Sequence, residues 1–174
     1  DCRWATMERP IVVAAFRACT DLEVSSDIDM QVEAQTLAAE LRVGSVRSGR
    51  ALLQVHANLD TNNAKKYREM IQKGQAIGHN MVVQGLVWGN IGLSENLIEA
   101  MSAHTFCVGL LGAALRLGVI GHTDAQAVFG RLHKMISGRL KQTSIPLEEV
   151  SAFSPEQEIA VMRHENSTHR LFLN

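Results

Sequence analysis

Apolar side chains recur along this chain at intervals of three and four residues, and only 3 prolines interrupt them. That spacing lays them along one face of a helix. Between Asp27 and Leu59, the residues Ile28, Val32, Leu37, Leu41, Val46, Leu52, Leu53 and Val55 mark amphipathic helices, with Gly44 and Gly49 as bends or points of close contact. Asn58 to Asn63 is polar and reads as a loop. Ala64 to Gln75 reads as a short, charged surface helix, and Gly78 to Gly89, which carries Met81, Val82, Val83, Leu86, Val87 and Trp88, as a buried one. The helix from Glu95 to about Leu117 is apolar on nearly every side in its second half. A central helix surrounded by others is expected there, with Gly109 and Gly112 admitting close neighbours. Pro10 stands before Ile11 to Phe16 and suits a first helical turn, while the β-branched run leaves a strand as the alternative.

Helix starts carry their own marks. Ser94 followed by Glu95 resembles an N-cap with an acid favoured by the helix dipole. Thr123-x-x-Gln126 and Ser154-Pro155-x-Gln157 fit the capping box, which places helix starts near positions 95, 124 and 155. Residues 141–153 contain Pro146 and no clear period, so they read as a linker ahead of a C-terminal helix and tail over 154–174. Abundant Ala, Leu, Glu, Gln, Arg and Met lose little rotamer freedom in helices. The fold expected is all-α, a single-domain helical bundle over 1–174.

Composition narrows the function. A chain of 174 residues can bury a real core without a metal or disulfide staple. Its 17 basic and 18 acidic residues give a net charge of -1, which removes the broad attraction that nucleic-acid binding uses. Cys2, Cys19 and Cys107 are widely separated and odd in number, which fits free thiols in a reducing, cytoplasmic setting. The uncharged stretch from Phe106 to Leu115 ends at Arg116, short of the roughly 18 residues of a membrane span. It reads as core helix, with no membrane partner. The opening Asp1-Cys2-Arg3-Trp4 shows no leader and reads as a truncated start.

Candidate chemistry fails on specific grounds. Gly44 to Ala51 has the glycine spacing of a P-loop, but Arg50 and Ala51 stand where Lys and Ser/Thr would hold phosphate and magnesium, and no apolar strand precedes it. His164 and His169 flank Glu165 as in zinc proteases, yet a separation of five turns them about 140° apart on a helix. His122, Gln126 and His133 share a helical stripe, and His79 and His104 lie in apolar surroundings; for each a satisfied or solvent-facing histidine is the commoner role than a ligand. Cys107 reads as a small core residue. No Ser sits in a Gly-x-Ser-x-Gly turn. No catalytic residue, metal site or cofactor is expected. The tail differs: Met162, Arg163, Arg170, Leu171 and Phe172 set cations beside large apolar groups, the pairing an interface anchor uses.

Four segments stand in order, beginning at Glu40, Gly78, Arg116 and Met162, and Arg116-Leu117-Gly118 through Gln126 with Met162-Arg163-His164-Glu165 and Arg170-Leu171-Phe172 are the sharpest of them; together they resemble the UreF family of urease accessory proteins. Arg116-Leu117-Gly118-Val119-Ile120-Gly121-His122-Thr123-Asp124-Ala125-Gln126 looks like its Arg-Leu-Gly segment, and Met162-Arg163-His164-Glu165 with Arg170-Leu171-Phe172 like its C-terminal signature. Before them stand Glu40-Leu41-Arg42 with Ser45, Gly49, Arg50, Leu52 and Leu53, and then Gly78-His79 with Val82-Val83-Gln84-Gly85. The family's opening Pro-x-Gly and Gly-Leu-Glu segment does not precede Trp4, so the bundle is expected to lack the family's N-terminal helices. The resemblance implies an all-α homodimer without catalysis of its own. Such an adaptor joins UreD (UreH) and the GTPase UreG in the complex that delivers nickel to apo-urease. It also implies that Arg163, His164, Glu165, Arg170, Leu171 and Phe172 bind partners, and that Arg116, Gly118, Gly121, His122, Gln126, Gly78, His79 and Gly85 serve structure or interface. The alternative is a helical protein-interaction adaptor unrelated to urease.

Overall fold

A computed structural model describes residues 3–151 and 159–163. Every regular element among them is helical. A short π-helical turn, Trp4–Glu8, runs into α1 (Arg9–Arg17); α2 (Leu22–Gln35), α3 (Ala39–Asn58), α4 (Ala64–Gln72), α5 (Asn80–Asn90), α6 (Glu95–Arg116) and α7 (His122–Arg139) follow, then a 3-10 turn, Leu147–Glu149. The chain is all-α.

The core forms where α1 meets α5. The helix carries on from the π-helical turn through Pro10, which removes the strand alternative, and the Thr6 carbonyl four residues before the proline accepts instead from the Ser151 N–H at 3.0 Å. Ile11, Val12, Val13 and Ala15 are buried against Val82, Val83, Leu86 and Val87. Gly85 permits the contact: a Cβ there would fall 2.5 Å from the Val12 carbonyl oxygen. Helix α3 packs on α5 through a second such approach. A Cβ on Gly49 would lie 2.2 Å from the Gly78 carbonyl oxygen, so Gly49 is a contact point and not a bend. Gly44 has open space around it.

The break between α2 and α3 falls at Thr36 to Ala38, where the backbone is extended, and not at a glycine. Arg42 closes it, its guanidinium donating to the carbonyls of Thr36 and Leu37 at 2.6 and 2.8 Å. Asp21 caps α2 by accepting from the Val24 N–H at 3.2 Å. Ser94 is the N-cap of α6 with Glu95 in its first turn, as expected, although its hydroxyl makes no side-chain cap bond. The other cap assignment differs from expectation. Helix α7 begins at His122 with Gly121 as its N-cap, so Thr123 lies already inside the helix and its capping box does not form. The start expected near 155 lies outside the described residues.

The largest departure concerns α6. Its buried residues, Ile98, Glu99, Ser102, Ala103 and Cys107, all belong to its first part. Beyond them Val108 and Leu110 are exposed, Gly109 has nothing within 4 Å, and Gly112 meets only Arg116 of its own helix. The second half is therefore not surrounded by other helices of the described chain. Apolarity on all sides, read from sequence, does not say whether neighbours within the chain lie against the helix. Past α7, residues 141–151 lie on the body: Leu147 and Val150 join the core, and Gln31 donates to the Leu147 carbonyl at 3.3 Å.

Candidate functional site

Two buried polar arrangements organise the molecule. In the first, the Asp29 carboxylate on α2 accepts from the backbone N–H groups of Ile77, Gly78 and His79 at 2.8, 2.5 and 2.9 Å, and from the Tyr67 hydroxyl at 2.9 Å. Burial and the neighbouring Asp29 push the Tyr67 phenol far above its ordinary value. This anchors the turn before α5, which Gly78 enters with φ +95°. The His79 imidazole, wholly buried, then bridges Glu33 through Nε2 at 2.8 Å and Ser45 through Nδ1 at 3.2 Å, while Arg42 pairs with Glu33 at 3.3 Å. Four elements meet there. Asp29 could have been suspected from sequence, because it shares a stripe with the buried Ser25, Ile28 and Val32.

The second arrangement joins α1 to α6 and α7. Arg9 pairs with Glu99 at 2.8 Å, both nearly buried, and donates to the carbonyls of Arg139 and Gln142 at 3.1 and 2.7 Å. Its guanidinium sits 5.7 Å from the Trp4 ring centroid, and the Trp4 indole donates to the Ser102 hydroxyl at 3.2 Å. By length and composition α6 is able to cross a membrane. These bonds hold its first half to the body instead. Beside it an apolar cavity of about 150 Å³ opens between α6 and α7, lined by Trp4, Phe106, Cys107, Leu110, Leu132 and Met135.

The residues singled out from sequence fall into separate places. Arg116 to Gln126 forms the corner between α6 and α7. There Gly118, at φ +67°, closes α6: its N–H bonds the Leu115 carbonyl while the Val119 N–H bonds that of Ala114, both at 3.0 Å. His122 and Gln126 are exposed on α7. His104 and His133 are brought together, whereas His79 belongs to the α2–α5 network. The P-loop look-alike lies wholly inside α3, with Arg50 donating to the Ile77 carbonyl at 2.8 Å. Cys107 is buried, and burial raises its thiol and that of Cys19; both are free. Arg163 is exposed and helical. His164, Glu165, Arg170, Leu171 and Phe172 lie outside the described residues. Among the described residues no group of three His, Cys, Asp or Glu is placed to hold a metal.

The UreF family model matches residues 2–133, which include the Asp29 and His79 network, the Arg9–Glu99 pair and the α6–α7 corner. The chain belongs to the UreF family. Relatives described as urease accessory protein UreF include one from Trichodesmium erythraeum, 30% identical over 94% of this chain and 72% of the relative. One from Kocuria rhizophila is 28% identical over 94% of this chain and 73% of the relative. One from Bacillus sp. strain TB-90 is 28% identical over 93% of this chain and 73% of the relative. No solved structure matches the chain significantly. Within this UreF chain, the family-like residues Gly78, Gly85 and Gly118 shape the backbone, and His79 ties two helices together.

Proposed function

We propose that this UreF chain acts in urease maturation as a cytoplasmic adaptor without catalysis of its own. It joins UreD and the GTPase UreG, and works as a homodimer in the complex that delivers nickel to apo-urease. The observation that carries this reading is the apolar surface on the far half of α6 and its corner with α7. Val108, Leu110, Leu117, Val119 and Met135 are exposed there, and Leu110 and Met135 line the apolar cavity. Large exposed apolar patches mark sites of protein association, and a member of a family of accessory proteins has partners to fill them. The buried ion pair of Arg9 and Glu99 gives that surface a rigid base.

The tail supplies the second contact. Arg163, His164 and Glu165, followed by Arg170, Leu171 and Phe172, set the register through the arginines and add buried area through Phe172. Deleting Glu165 to Asn174 is expected to abolish co-purification with UreD and UreG while the helical circular dichroism is kept. Undiminished complex formation by the truncated chain overturns the tail's role, and failure of the full chain to capture either protein overturns the adaptor reading.

A further inference from the structure

Gln84 is the single carboxamide among the buried residues Met81 to Trp88 of α5. It is 6% exposed, and among the described residues no group hydrogen-bonds it. Burying a carboxamide costs free energy unless its two N–H donors and its oxygen find partners. Both polar atoms stay accessible at a cleft of about 320 Å³, which Gln84 lines with Glu8, Asn80, Ser102, Thr105 and Phe106. Asn80 lies one helical turn before Gln84 on the same stripe of α5. Its main-chain N–H is taken by the Ser45 hydroxyl at 3.2 Å, while its carboxamide has no partner among the described residues. Past Glu8, Asn80 and Phe106 the cleft continues into a second, of about 280 Å³, that reaches Arg3, Glu40 and Ser48. The charges there answer one another: Arg3 pairs with Glu8 at 3.7 Å, and Glu40 is engaged as well. Burial pushes the Glu8 carboxyl above its ordinary value although Arg3 pulls it down. The groups left for a ligand are two neutral carboxamides.

We propose that the cleft between α5, α6 and the π-helical turn binds a planar amide group through the carboxamides of Asn80 and Gln84. A carboxamide holds a donor and an acceptor in one plane, so it meets another amide at two points, N–H to oxygen and oxygen to N–H. A carboxylate, which only accepts, leaves the Asn80 and Gln84 oxygens unpaired, and an ammonium, which only donates, leaves their N–H groups unpaired. The ligand is therefore neutral. Phe106 supplies an apolar wall for the flat face of such a group, and Gly109, with open space where a Cβ would stand, keeps the α6 side clear. Two sources present this chemistry, a small free amide such as urea and the main chain of a peptide. Phe106 and Leu110 line the neighbouring apolar cavity too, so a peptide seated in one space reaches the other. The site stands independently of the partners assigned above.

The test is NMR titration of the full chain with acetamide, N-methylacetamide and, as the acceptor-only control, acetate, reading the side-chain NH₂ resonances of Asn80 and Gln84. Saturable shifts centred on those two residues are expected with the amides, and binding of acetate about tenfold weaker or more. Tighter binding of N-methylacetamide than of acetamide assigns the site to a peptide main chain; the reverse assigns it to a small primary amide. Gln84→Met keeps the volume and removes the hydrogen bonding. It is expected to weaken amide binding about tenfold or more while melting no lower than the unaltered chain, because the group it removes has no partner to lose. Gln72→Met, on the exposed face of α4, should leave binding unchanged. Shifts that never saturate or that spread across the chain, acetate bound as tightly as acetamide, undiminished binding by Gln84→Met, or a fall in that variant's melting temperature overturns the site.

Discussion

Replacing Asp29 removes the acceptor on which the turn before α5 depends. The side chain is wholly buried and takes four hydrogen bonds, from the N–H groups of Ile77, Gly78 and His79 and from the Tyr67 hydroxyl. A carboxylate is acceptor-only when ionised, which suits it to four donors at once. Hydrogen bonds to a charged group contribute about 1.5–3 kcal/mol each, and every buried donor left unpaired costs about 1–3 kcal/mol. These contributions do not add. Water entering the space of an Asp29→Ala change recovers part of the loss, so the net destabilisation expected is about 3–5 kcal/mol, as for breaking other buried charged networks. Asp29→Asn keeps one acceptor oxygen but turns an NH₂ group towards the remaining donors, and should lose about 1–3 kcal/mol. Urea unfolding followed by circular dichroism measures both, read as a fall in midpoint at constant slope. Amide exchange at Ile77, Gly78 and His79 should quicken in the Asn variant before the rest of the chain loosens. A loss below about 1 kcal/mol for Asp29→Ala, or amide exchange unchanged in Asp29→Asn, refutes the anchoring role.

Further consequences can be checked together. Gly49→Ala forces a methyl group into the Gly78 backbone and is expected to destabilise by about 3 kcal/mol, whereas Gly109→Ala, in open space, should stabilise the isolated chain by about 1 kcal/mol through helix propensity; thermal melts decide both. Arg9→Met leaves Glu99 buried without its cation, and a loss of about 3–5 kcal/mol is expected in denaturant titration. Burial lowers the pKa of His56 below its ordinary value. The folded state then binds fewer protons than the unfolded state as pH falls through 6.5 towards the folded value, so stability present at neutral pH is lost on the acid side. His56→Asn should flatten the melting temperature between about pH 7 and pH 5, and an unaltered slope counts against this assignment.

The helices were legible because their apolar periodicity is carried by local spacing alone. Met81 to Trp88 reads as a buried helix from sequence and is one. The corner at Gly118 was legible as a motif, though its left-handed closure of α6 needed coordinates. What sequence could not supply was the identity of neighbours. Arg9 and Glu99 look like surface charges until the fold sets them face to face, and the far half of α6 looks central until its flanks prove open. Thr123 misled because a capping box is a local pattern that competes with other starts one or two residues away, and Gly121 took the N-cap.

A backbone clasp near the chain's two ends has one more consequence. The Thr6 hydroxyl donates to the Ser151 carbonyl at 2.9 Å, and the Ser151 N–H donates to the Thr6 carbonyl at 3.0 Å. Everything after Ser151 is thus leashed at the π-helical turn. Fully extended, the chain from Ser151 to Phe172 reaches at most about 75 Å. A partner held there, as proposed above, would stay within that radius of the head of α1, beside α6, so a second contact on the body would form inside one tethered pair and not between free molecules.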